Sequence, residues 1–340
     1  MARVGRAPAA APRNPSLSER RLRLLFFGTP EFAVPTLERL CAGRHPVVAA
    51  VSQPDRPRGR GRRVSPSPVA ATAERAGIPA LRTERVGEAD FVERLRALEP
   101  DLGIVVAFGQ FLPRRVRELP RAGYLVNAHA SLLPRHRGAA PIAHAILAGD
   151  RETGISVMRV EREMDGGPVA VVRRTPIGAE ETAGELEARL AELAAAAIDE
   201  AVELVAASCV RWTAQDAARA TLAPKLTPAD ARLDWSEPAE ALARRVRALS
   251  PRPGAFTVLA GERLRILRAR SLGGAAVDAP GTVRVDAEHA GTPLRIATGA
   301  GWLAPCVLQR AGGDPLDVEA FQRGRGLPDG ARLGGPEADG

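Results

Sequence analysis

The stretch Leu22-Arg-Leu-Leu-Phe-Phe-Gly28-Thr-Pro30 decides the fold class of this chain. Its apolar run has the length of one buried strand, and a Gly-Thr-Pro turn stops it. Residues 31–43 follow with the spacing of an amphipathic helix. The alternation continues downstream. A second apolar run, 47–51 (VVAAV), stops at Gln53-Pro54, and helices are predicted at about 68–77 and over 88–98. A buried strand at 102–107 (LGIVVA) ends at Phe108-Gly109, and Leu125-Val126 lead into Asn127. Short apolar strands alternating with helices make βαβ units, so an α/β parallel sheet is expected. Open sheets of that kind place their site beyond the strand ends. The first turn lacks G-x-G-x-x-G spacing, which argues against a dinucleotide. Gly28 serves equally as a tight-turn residue or as a substrate contact.

The texture changes after a long Ala/Glu/Leu-rich helix at 183–208. A polar linker at 209–228 contains Lys225. Asp234-Trp235-Ser236 precede a helix at 237–248. Short strands follow Pro253 at 255–259, 263–270, 281–285, 293–298 and 302–308, which suggests a small OB-like β-barrel. The expected layout is a disordered tail at 1–20, a catalytic domain at 21–208, the linker at 209–228, a barrel domain at 229–324 and a frayed Gly/Pro-rich tail at 325–340.

Composition narrows the function classes. The chain has 340 residues, enough for two cores, and 45% of them are hydrophobic. No apolar run reaches membrane-spanning length. The net charge of +8 suits an anionic partner such as nucleic acid. One of the 48 basic residues is a lysine, Lys225, which leaves 47 arginines. That bias, with abundant Ala, Gly and Pro, is typical of a GC-rich genome, so the position of a basic residue counts for more than the number. Cys41, Cys209 and Cys306 are far apart and lack metal-ligand spacing, against both a disulfide framework and a zinc site; a cytoplasmic protein is expected. Residues 1–20 lack the apolar core of a secretory signal. A transit peptide, a disordered tail and an early start site all remain open for them. Nothing in the sequence requires a dimer, and a monomer is expected.

The densest polar cluster is Asn127-Ala-His129-Ala-Ser131-Leu-Leu-Pro134-Arg-His136-Arg-Gly138-Ala-Ala-Pro141, directly after a predicted buried strand. Asn127 and His129, two apart on an extended segment, point to the same side. An amide that stabilises an oxyanion and an imidazole that handles a proton suit acyl transfer to an amine. The amine is itself the nucleophile, so no enzyme serine or cysteine is needed. Asp165, on a turn before Gly166-Gly167 and after the apolar run 155–160, is positioned to converge on His129 and orient its ring. Read singly, each of the three has a structural alternative: a core histidine, a turn-capping asparagine, a turn aspartate.

These residues are identified here as resembling a known family. Asn127-x-His129-x-Ser131-Leu-Leu-Pro134, followed by Arg137-Gly-Ala-Ala-Pro-Ile142, resembles the signature of 10-formyltetrahydrofolate-dependent formyltransferases. The Arg-Gly-Ala-Ala-Pro-Ile ending is typical of members acting on methionyl-tRNA. Phe26–Ala33, Gln53-Pro-Asp-Arg-Pro57, Pro66-Ser-Pro-Val69, Asp165-Gly-Gly167 and Leu233-Asp-Trp-Ser236 resemble further family segments in the same order. The resemblance implies a Rossmann-like domain joined to a β-barrel. It implies catalytic roles for Asn127, His129 and Asp165, and a folate-binding segment at Ser131, Leu132, Leu133 and Pro134. It also implies 10-formyltetrahydrofolate as formyl donor, initiator methionyl-tRNA as acceptor, and no metal. Ala128 stands where valine is frequent in the family, and His136 where an aromatic is frequent.

Two basic regions bear on the acceptor. Asp55–Arg63 holds five arginines and two glycines, and a flexible basic loop can reach phosphates or base edges. Arg58, Arg60, Arg62 and Arg63 are its candidate tRNA contacts, and Arg60 matches the loop arginine that the family uses. Lys225 matches a linker lysine of the family. Residues 244–270 hold eight arginines against one acid, Glu262, a candidate basic face for a tRNA backbone. The competing readings are a formyltransferase for a small amine, a non-catalytic RNA-binding protein on an enzyme scaffold, and hydrolysis of the formyl-folate.

Overall fold

A computed structural model describes residues 21–58, 63–286 and 293–335. The expected N-terminal tail, 1–20, lies outside the described residues. The first half runs β1 (Leu24–Gly28), α1 (Val34–Ala42), β2 (Val47–Ser52), β3 (Arg56–Arg58), β4 (Arg63–Ser65), α2 (Pro68–Arg75), β5 (Ala80–Arg82) and α3 (Ala89–Arg96). It continues with β6 (Leu102–Val106), the single turn α4 (Arg114–Arg117), β7 (Leu125–His129), α5 (Pro141–Leu147), β8 (Glu152–Arg159), β9 (Val169–Pro176) and α6 (Ala183–Ala206).

Seven of these strands form one sheet in the order β5-β2-β1-β6-β7-β8-β9. The pairs from β5 to β7 are parallel, while β8 and β9 add antiparallel. Every residue of β1 and β6 is buried, as their unbroken apolar runs require of strands covered on both faces. One face is covered by α1, α2 and α6, through Leu37, Leu40, Val69, Leu190 and Ile198. The other is covered by α3 and α4, through Phe91, Val92, Leu95 and Val116. Helix α6 starts at a capping box. Thr182 Oγ1 accepts from Glu185 N at 3.4 Å, and the Glu185 carboxylate accepts from Thr182 N at 2.9 Å. Those bonds to Thr182 and an ion pair with Arg268 hold the Glu185 carboxyl below its ordinary range.

The second half comprises α7 (Ala239–Leu249), β10 (Ala255–Leu259), β11 (Glu262–Leu272), β12 (Val283–Val285), β13 (Leu294–Ala297), β14 (Trp302–Arg310), β15 (Leu316–Asp317) and α8 (Val318–Arg323). The strands pair antiparallel in the order β10-β11-β14-β13-β12, with β15 on β14. Leu242, Val246 and Leu249 of α7 share a core with Ile266, Leu303 and Leu308. Trp235 closes one end of that core, its indole N–H donating to Thr257 Oγ1 at 3.0 Å. The C-terminal segment corrects one expectation. Its described part, 325–335, does not fray. Leu327 and Leu333 are buried in the core, Leu333 N donates to the Gly281 carbonyl at 2.9 Å, and Val283 N donates to that of Ala331 at 2.9 Å. Gly and Pro content marks turns here, and two leucines outweigh it. Among the described residues, no helix is long and apolar enough to cross a membrane.

Candidate active site

The sheet order reverses between β1 and β6, so their following loops part and open a crevice at the carboxyl ends of the strands. A cavity of about 880 Å³ occupies that crevice. The loop after β6 supplies Phe108, Phe111 and Leu112, the turn after β1 supplies Phe32, and Ile142 of α5 completes an apolar wall. Asn127 and His129 at the end of β7, and Asp165 on the turn between β8 and β9, form a polar wall. Leu226 of the linker, with Ala248 and Arg252 of the second half, also lines the cavity. Gly28 lies outside the lining. A Cβ there would stand 2.9 Å from that of Ala33 and 3.0 Å from the Val106 carbonyl, so its place answers to packing.

The three polar residues differ in how they are held. His129 is only 6% exposed. Its Nε2 lies 2.8 Å from the His136 carbonyl oxygen, which can only accept, so Nε2 carries the proton. Nδ1, which carries the lone pair when the ring is neutral, lies 3.5 Å from Asp165 Oδ2. The Asp165 carboxylate is held in turn by the Gly138 N–H at 2.9 Å. Asn127 is half-buried, and its amide has no hydrogen-bond partner among the described residues. The cavity therefore offers a free amide, an imidazole with one open nitrogen, and a carboxylate beside that nitrogen. This set can stabilise an oxyanion and accept a proton. Among the described residues, no group of three His, Cys, Asp or Glu side chains could hold a metal.

The supporting residues come from places that local patterns do not flag. Arg137 is buried and donates to Gln215 Oε1 through Nε at 3.1 Å and Nη2 at 2.9 Å, and to Glu163 through Nη1 at 2.6 Å. The Gln215 amide donates at 2.7 Å to the carbonyls of both Asp165 and Gly167. Gln215 thus pins the Asp165 turn, where Asp165 itself has a φ of 51°. The linker that carries Gln215 is docked. Arg137 N donates to Thr221 O at 2.8 Å, Ala223 N to Arg137 O at 2.7 Å, and Ala140 N to Ala223 O at 3.1 Å. Gly138, with φ of 126°, lies so close that a Cβ would stand 2.6 Å from the Ala223 oxygen. Only glycine fits both that angle and that approach. A glutamine in a polar stretch carries no sequence signal for such a role; Arg137 and Gly138 carried one through the Arg-Gly-Ala-Ala-Pro segment.

Other expected site residues stand elsewhere. None of Ser131, Leu132, Leu133 and Pro134 lines the cavity. Ser131 is fully buried; its hydroxyl donates to Arg135 O at 2.6 Å, and its carbonyl accepts from Ser156 Oγ at 2.7 Å. The segment braces the turn that carries His136 rather than facing the cavity. Arg58 and Arg63 pair across the β3–β4 hairpin, and Arg60 and Arg62 lie outside the described residues. Lys225 is exposed at the rim, next to the cavity-lining Leu226. The basic face expected over 244–270 is largely spent on internal pairs. Arg268 pairs with Glu185 and Arg270 with Glu180 of the first half, while Arg244 pairs with Glu240 and Arg245 with Glu237. The carboxylates that neutralise this run lie before it in sequence, Glu180 and Glu185 far away and Glu237 and Glu240 just ahead, where a count along the run does not include them.

Comparison with known proteins identifies the family. The formyl transferase family model matches residues 20–202, and the model of the formyl transferase C-terminal domain matches residues 225–326. A methionyl-tRNA formyltransferase of Xanthomonas campestris is 47% identical over 89% of this chain and 98% of its own length. One of Moorella thermoacetica is 41% identical over 92% of this chain and 99% of its own length. Among solved structures, an N-formyltransferase of Helicobacter canadensis in complex with folinic acid and dTDP-3-aminofucose has a TM-score of 0.62 at 13% identity, over 84% of this chain and 99% of that one. That last likeness is one of fold.

Proposed function

The chain belongs to the formyl transferase family, and from that premise we propose that it transfers the formyl group of 10-formyltetrahydrofolate to the α-amine of initiator methionyl-tRNA, as a cytoplasmic monomer. The observation that carries the chemistry is the shared cavity lining of Asn127, His129 and Asp165, with an amide that has no partner among the described residues and an imidazole whose Nδ1 faces the Asp165 carboxylate. The flat folate ring suits the apolar wall of Phe32, Phe108, Phe111 and Leu112. The neutral amine attacks the formyl carbon, and the Asn127 amide donates to the oxyanion that develops. His129 Nδ1 takes the proton of the attacking nitrogen, and the imidazolium is then paired with the Asp165 carboxylate. As the bond from the formyl carbon to folate N10 breaks, that proton passes to N10, and tetrahydrofolate leaves.

The acceptor assignment draws on the two relatives named for methionyl-tRNA, matched over nearly their whole length. The exposed Lys225 and the arginines Arg58, Arg60, Arg62 and Arg63 are the proposed tRNA contacts. Ser131–Pro134 act as a brace behind His129 rather than as direct folate contacts. The test supplies 10-formyltetrahydrofolate with either charged initiator tRNA, free methionine or an amino-sugar nucleotide. Formylmethionyl-tRNA is the expected product. Transfer to a small amine but not to methionyl-tRNA would remove the acceptor assignment while leaving the formyl chemistry.

A further inference from the structure

The cavity is lined by residues from both halves of the chain, and the charges where the halves meet are used unevenly. Glu180 pairs with Arg270 at 2.7 Å, Glu185 pairs with Arg268, and Arg247 donates to the Glu181 carbonyl at 3.5 Å. Glu187 and Arg252 stand among these groups, one from each half, and both line the cavity. Neither has an ion pair or hydrogen bond among the described residues. Both are exposed to the cavity space. The segments that carry them are in contact. Gly184 N donates to Ser250 O at 3.0 Å, and a Cβ on Gly184 would lie 2.5 Å from Pro251 Cδ. The turn carrying Arg252 therefore lies flat against the start of α6, which carries Glu187. Protein crowding pushes the Glu187 carboxyl above its ordinary range, and the charge of Arg252 opposes that push.

We propose that Glu187 and Arg252 form a subsite for the terminal nucleotide of the acceptor, with Arg252 on its phosphodiester and Glu187 on a ribose hydroxyl. This rests on the reading of the acceptor as an aminoacyl nucleic acid. An aminoacyl-adenosine end carries its reactive amine, a free ribose hydroxyl and a phosphate in sequence. The cavity lining brings together the amine-handling residues, this donor–acceptor pair, and Ile142, Leu226 and Ala248 for an apolar side chain. The acidic tail of a folate would meet Arg252 favourably but Glu187 unfavourably. A nucleotide satisfies both, because its phosphate accepts and its hydroxyl donates.

The test uses the full chain and three acceptors: methionyl-tRNA, methionyl-adenosine bearing a 5′-phosphate, and methionyl-adenosine without it. The wild type is expected to favour the phosphate-bearing fragment in kcat/KM by about tenfold or more, the worth of a charge-assisted bond. Arg252→Ala should abolish that preference and raise KM for methionyl-tRNA, with KM for the folate unchanged; Arg252→Lys should keep part of it. Glu187→Gln should lower use of the ribose fragment but not of its 2′-deoxy counterpart. A phosphate preference that survives in Arg252→Ala, or a KM change confined to the folate, would overturn the subsite. A wild type inactive on methionyl-tRNA would instead overturn the acceptor reading and the subsite with it.

Discussion

At the scale of single residues, the division of labour rests on what each side chain is already bonded to. His129 has one ring nitrogen committed to the His136 carbonyl and one left open toward Asp165. Among the described residues Asn127 has no hydrogen-bond partner, which leaves its amide available to a transition state. Asn127→Ala is expected to lower kcat by about 10²- to 10³-fold with little change in KM for either substrate, as for other oxyanion donors. Steady-state kinetics check this, and a loss confined to KM would assign Asn127 to ground-state binding. These residues were legible in the sequence because strand-end placement and two-residue spacing do not depend on the rest of the fold. Ser131 was not, because its burial behind β7 depends on Ser156 in a strand 25 residues away.

At the scale of elements, the segment between the two sheets is part of the site. Residues 215–226 run along the loop 136–140 and the start of α5 and carry Gln215, which holds the Asp165 turn by two bonds. Gln215→Ala would leave two carbonyls and the buried Arg137 short of partners, a cost of about 1–3 kcal/mol. Its expected signature is a fall in kcat of about tenfold or more with KM for the folate held. Gln215→Glu keeps the acceptor for Arg137 but loses the donors to the turn, so it should not restore kcat. Full activity in both variants would reduce Gln215 to a structural role. Sequence polarity alone reads this segment as a tether, because its contacts are backbone bonds to a distant loop. The strand β9 escapes the apolar pattern for a related reason. It lies at the sheet edge, with Arg173 and Arg174 exposed along it. The buried runs of β1 and β6, by contrast, announce themselves.

At the scale of the whole molecule, the two halves meet through ion pairs from the start of α6 to β11, and the cavity opens between them. Arginines that a charge count assigns to a nucleic-acid face are partly the fastening of this junction. The tRNA contacts are therefore sought at the hairpin, at Lys225 and at the cavity rather than over the whole run 244–270. Leu226, Ala248 and Arg252, from the linker and the second half, line the same cavity as Asn127, His129 and Asp165. The most direct test of this account is transfer from 10-formyltetrahydrofolate to charged initiator methionyl-tRNA by the wild type and by His129→Ala, with tRNA binding measured in the same preparations. The account predicts turnover by the wild type, a loss of about 10²- to 10⁴-fold in the variant, and equal tRNA binding by both. Wild-type rates in His129→Ala, or no transfer to methionyl-tRNA by the wild type, would contradict it.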